Sequence, residues 1–102
     1  MNHRETCLRA ANDCVNGMRE QDYGTPEDNF GTIARMWSEY LGTENIAISA
    51  KDVAVMMALL KIARIKTGGG TGDSYIDLAG YAACAYEIAE NEKEDNNNVR
   101  TE

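Results

Sequence analysis

Histidine and proline occur once each in these 102 residues, cysteine only three times, and positive charge is outnumbered by negative. Each scarcity closes off a class of function. With His3 as the only imidazole, no Ser/His/Asp or Cys/His constellation can be assembled, and a zinc site has too few nitrogen and sulfur donors. Cys7, Cys14 and Cys84 are odd in number and contain no CxxC pair, which excludes a disulfide scaffold. They read as reduced thiols, with Cys7 and Cys14 on the apolar face of a first helix and therefore expected in the core. The longest apolar run, Val53 to Leu60, falls far short of the roughly 20 residues a membrane helix needs. Neither a membrane partner nor a secretory signal is read from the chain, so a cytosolic protein is expected. A net charge of −7 and a pI near 4.6 argue against a nucleic-acid partner, because only a local basic patch can survive that balance.

Strand-like alternation is also absent, and what remains is helical. Cys7, Leu8, Ala11, Cys14, Val15 and Met18 recur at helical spacing and predict a first amphipathic helix. Thr25 can cap a second, with Pro26 suited to its first position and Asp28 placed as a capping-box acid. Its predicted buried stripe is Phe30, Ile33, Ala34, Trp37 and Leu41, and Gly42 is the stop. Ser49 and Asp52 make the capping box of a third helix, with Ile48 and Val53 as its hydrophobic staple. From Val53 to Ile65 that helix is apolar nearly all round, which predicts either the most enclosed element or one that faces a partner subunit. Thr67-Gly-Gly-Gly-Thr-Gly72 ends it, and a fourth helix is expected from about Asp73 to Glu90. Beyond Asn91 the sequence is polar and aperiodic. The expectation is an all-α, compact, antiparallel bundle of four helices forming one domain over 1–90, followed by a disordered acidic and Asn-rich tail over 91–102. The apolar third helix, five methionines and small-residue fourth helix favour a homo-oligomer.

Four charged residues fall inside or beside these apolar helices: Lys61, Arg64, Asp73 and Asp77. Burying a charge is costly unless it is paired, hydrogen-bonded or holding a ligand. In an antiparallel hairpin of the third and fourth helices, Lys61 can face Asp77 and Arg64 can face Asp73. The cations then lie near one helix C-terminus and the anions near the next N-terminus, which suits both dipoles. The same positions suit a ligand. Lys61 and Arg64 can hold a phosphate as a point charge and a bidentate fork, and the aspartates can accept from a ribose hydroxyl or orient the cations. Tyr23 and Tyr81 are candidates to stack on a base, and Asn29 offers an amide that can read one. The glycine run before the fourth helix lacks the lysine and spacing of a P-loop, so a flexible linker competes with a phosphate cradle there.

The block Asp22-Tyr23-Gly24-Thr25-Pro26-Glu27-Asp28-Asn29-Phe30, with Ile33-Ala34 and Trp37-Ser38-Glu39-Tyr40-Leu41-Gly42, resembles the opening of a small phage-encoded domain of unknown function. Two later blocks resemble it as well, Asp52 to Arg64 and Asp73 to Ala83, so the likeness covers about residues 5–90. It implies a viral gene product working in a host bacterial cytoplasm and leaves the activity open. A local departure is the glycine-rich linker, where members of that family often carry an Asn-Pro type connection.

Three functions follow as expectations. The first is sequestration of a phosphorylated small molecule, a nucleotide or nucleotide-derived signal of host antiviral defence, without cofactor. The second is a nucleotide pyrophosphohydrolase of the MazG type, to whose second carboxylate helix Asp73 and Asp77 are weakly similar. That chemistry needs Mg²⁺ held by four carboxylates, of which Asp28, Glu39 and Asp52 do not supply the missing pair. The third is a helical adaptor that inhibits a host protein through its acidic surface.

Overall fold

The computed structural model describes residues 2–17, 24–42, 47–68 and 72–101, without the side chains of 97–101. Four helices account for nearly all of them: α1 (His3–Asn16), α2 (Pro26–Leu41), α3 (Ala50–Lys66) and α4 (Gly72–Thr101). Each of the first three starts on a capping side chain. Asn2 accepts from the Glu5 amide at 2.9 Å and Thr25 from the Asp28 amide at 3.2 Å. Ser49 and Asp52 exchange reciprocal bonds of 3.0 and 3.1 Å, satisfying two of the four amides a helix start leaves unpaired. Gly42 ends α2 at φ 65°, a left-handed conformation that costs glycine nothing, and its amide reaches the Ser38 and Glu39 carbonyls.

Among the described helices α4 is the hub, since it touches each of the other three, whereas α1 touches α4 alone. α3 runs antiparallel to α4: Lys61 near the end of one meets Asp77 near the start of the other, while Val53 and Ile88 at the opposite ends share the core. α2 lies across both, placing Phe30 and Ala34 against Val53, Ala54 and Ile88. Ser38 ties the end of α2 to the entry of α3 by accepting from the Ile48 amide at 3.0 Å. The staple residues Ile48 and Val53 both belong to this core. On the far side of α4, Val15 comes so close to Gly80 that a Cβ there would stand 3.3 Å from Val15 Cγ1.

The bundle departs from expectation in three places, and of the two readings of α3 it sets aside the enclosed one. α3 is not enclosed: Val53 and Ala54 are buried, but Val55, Met56, Leu59, Leu60 and Ile62 are exposed. Leu41, expected in the buried stripe of α2, is exposed as well. Cys14 is exposed and Cys7 only half-buried, and none of the three cysteines is joined in a disulfide. Beyond Asn91 the described side chains, Glu92 to Asn96, are exposed as a polar tail should be, yet the backbone stays helical to Thr101. Asn91 itself still belongs to the packed part, donating to Glu27 at the start of α2. The projecting helix, 30 residues and about 45 Å long at 1.5 Å per residue, accounts for the molecule's 47 Å long axis. Among the described residues no helix is long and apolar enough to cross a membrane.

Candidate functional site

The charged residues singled out by sequence gather where α3 ends and α4 begins. Lys61 Nζ lies 3.0 Å from Asp77 Oδ2. The lysine side chain is 11 % exposed and the aspartate 39 %, so the aliphatic stem is covered while the pair opens to water on the carboxylate side. Arg64, one turn further along α3, is exposed, as is Asp73, one turn before Asp77. These two make no ion pair with each other, so only half of the expected double clasp forms. The reason is exposure: holding two solvated side chains together costs about as much entropy as their screened attraction returns. Lys66 adds a second exposed cation to the last turn of α3, where the helix dipole favours it.

The other candidates divide. Asp73, Asp77 and Tyr81 succeed one another at four-residue steps along α4, so they mark successive turns of one face. The Tyr81 ring packs on Phe30 with centroids 6.0 Å apart at 41°, which commits it to the core cluster rather than to an open stacking platform. Asn29 is half-buried and lines a narrow crevice with Val15, Thr25, Pro26, Phe30 and Cys84. Cys84 is two turns beyond Asp77, about 10 Å along the helix, so Asn29 does not join the charged group. Tyr23 and half of the glycine linker, 69–71, lie outside the described residues.

Two features escaped sequence reasoning. Ser74 is a buried polar residue at 5 % exposure, directly beside Asp73. Its signal was there: Ser74, Tyr81 and Ile88 are seven apart and share the face of α4 that enters the core. The second is a wide apolar depression between the starts of α1 and α4, lined by Arg4, Cys7, Leu8, Gly72, Tyr75 and Ile76 among others. It joins two helix starts whose proximity only the tertiary fold sets.

Among the described residues no three His, Cys, Asp or Glu side chains are grouped as a metal ion would need. Asp73 and Asp77 are two carboxylates of the four that a pyrophosphohydrolase centre of that type calls for, and the described residues group no third one with them.

The fold and this cluster define a small all-helical protein in which, among the described residues, one cross-helix ion pair is flanked by charges that make none. Residues 6–89 match a family model described as a domain of unknown function, DUF6378, and the chain belongs to that family. It is 45% identical over 86 residues to the Gene 55 protein of Mycobacterium phage D29, covering 84% of this chain and 55% of the relative. Against the Gene 55 protein of Mycobacterium phage L5 it is 44% identical over 75 residues, covering 74% and 47%. The chain thus spans about half the length of these relatives. No solved structure matches it. The family is that of a phage protein, in agreement with the resemblance of the three sequence blocks.

Proposed function

We propose that this phage protein captures a phosphorylated small molecule in the host cytoplasm, at the junction of α3 and α4, and holds it without turnover. The observation that carries the reading is the local reversal of charge. In a chain of net charge −7, Lys61, Arg64 and Lys66 outnumber Asp73 and Asp77 at this junction. Asp77 fixes the Lys61 ammonium at 3.0 Å and leaves its remaining protons for a ligand. Arg64, exposed and without an ion pair, presents a planar fork suited to two phosphate oxygens. Asp73 can accept from a sugar hydroxyl. A nucleotide is the ligand class that asks for both groups at once, and a nucleotide-derived signal of host antiviral defence is the member that a phage gene product has reason to remove.

The test is to incubate the protein with linear and cyclic nucleotides and Mg²⁺, filter, and chromatograph both the filtrate and the heat-released retentate. A nucleotide depleted from the filtrate and released intact supports capture. New product peaks would replace it with hydrolysis, in which Asp73 and Asp77 hold Mg²⁺ with carboxylates lent by a second chain. An unchanged panel would rule out both and leave an adaptor acting on a host protein.

A further inference from the structure

The outer side of α3 carries a pattern that the monomer does not use. Asp52, Val55, Leu59, Ile62 and Lys66 follow one another at steps of three and four residues, so they form one stripe along the helix. All five are exposed, on the side turned away from Val53, Ala54 and Met57 in the core. The three central residues are apolar, and the two end residues are charged with opposite sign. Met56 and Leu60 widen the stripe, and Met56 continues it into a shallow apolar depression shared with Trp37, Tyr40, Leu41 and Ile48. Val55, Met56, Leu59, Leu60, Ile62, Tyr40 and Leu41 are each between 42 and 89 % exposed, large apolar side chains of the kind that the core of a protein interface covers. Monomeric proteins rarely leave so much contiguous apolar surface in water.

We infer that this face is the seat of a second copy of the chain, docked with its α3 antiparallel to the first and the two-fold axis passing at Leu59. The charges select both the occupant and the direction. Asp52 and Lys66 each lie seven residues from Leu59, so an antiparallel pair centred there sets Asp52 against the partner's Lys66, twice. The same register sets Leu59 on the partner's Leu59 and Met56 on the partner's Ile62. A parallel pair in register would instead bring Asp52 onto Asp52 and Lys66 onto Lys66, a repulsion at both ends. Asp52 has an oxygen to spare for this, since its capping bond to the Ser49 amide is made by Oδ2.

Sedimentation equilibrium on the full chain tests the proposal, with circular dichroism to check folding. The expected species has twice the 11.2 kDa chain mass. Leu59→Glu places a charge on the axis at a side chain the monomer core does not use, and should give a folded monomer. Lys66→Glu should raise the dimer Kd about tenfold or more, and salt should weaken the wild-type dimer. A wild-type chain that stays monomeric at 100-micromolar order concentration would overturn the proposal. A dimer indifferent to Leu59→Glu would overturn the surface, and one strengthened by salt and indifferent to Lys66→Glu would overturn the antiparallel direction.

Discussion

Lys61 and Asp77 are the residues through which α3 and α4 meet by charge, 3.0 Å apart, with the lysine nearly covered and the aspartate partly in water. The asymmetry predicts unequal mutants. Asp77→Asn takes the counter-charge from a nearly covered lysine and should destabilise the fold by about 1–2 kcal/mol, less than a fully buried pair because water reaches the carboxylate side. Lys61→Met removes the charge and keeps the stem, and should cost under about 1 kcal/mol or nothing. Urea unfolding of the two variants beside wild type measures the difference. Equal losses would mean that the attraction itself, rather than the stranded lysine, sets the energy.

The start of α3 should be the most sensitive cap in the molecule. Ser49 and Asp52 satisfy two amides reciprocally, and Val53, the next residue, is the largest fully buried side chain of the core. Ser49→Ala is expected to cost about 1 kcal/mol, and Ser49→Gly only a few tenths. Thermal melts followed by circular dichroism distinguish them, and an alanine variant as stable as wild type would show that α2 and α4 hold Val53 without the cap.

How far the chain discloses its own structure differs from helix to helix. The starts of α2 and α3 were legible because Thr25-Pro26 and Ser49-Asp52 carry local chemistry that needs no tertiary partner. The burial of α3 was not. A helix apolar on every side has no phase, so the pattern cannot say which face turns inward, and the outer stripe through Val55, Leu59 and Ile62 is seen only once α4 has taken the other face. The helical continuation past Asn91 was hidden for the opposite reason: a polar run with no periodicity predicts nothing about backbone, whether or not it is helical. At the site, the Lys61–Asp77 pair followed from hairpin logic, whereas Arg64 and Asp73 remain apart because exposure leaves little energy to join them.

Among the described helices α1 packs on α4 alone, and Val15 lies close against Gly80. A leucine at position 80 has no room, while alanine gains helix propensity of up to ~1 kcal/mol and meets Val15 at a separation a small shift can relieve. Gly80→Leu should therefore release α1 and leave the core of α2, α3 and α4 standing. Hydrogen exchange is the readout: amides of α1 should lose protection by at least tenfold while those around Val53 keep theirs. Loss of protection in all helices together would make α1 part of one cooperative unit.

Arg64 offers the sharpest separation of binding from stability. Its side chain is exposed and makes no ion pair, so Arg64→Ala should change unfolding free energy by less than about 0.5 kcal/mol. If its guanidinium grips a phosphate through two oxygens, the same variant should weaken capture of whichever nucleotide the filtration panel retains by about tenfold or more. Arg64→Lys should recover part of that loss, because charge returns but the planar fork does not. Titration calorimetry of the three proteins reads both comparisons on folded material. Affinity unchanged in Arg64→Ala would move the phosphate away from this junction and leave Lys61 and Asp77 as a structural pair. Full recovery by lysine would keep the site but replace a two-point grip with attraction to a positive charge.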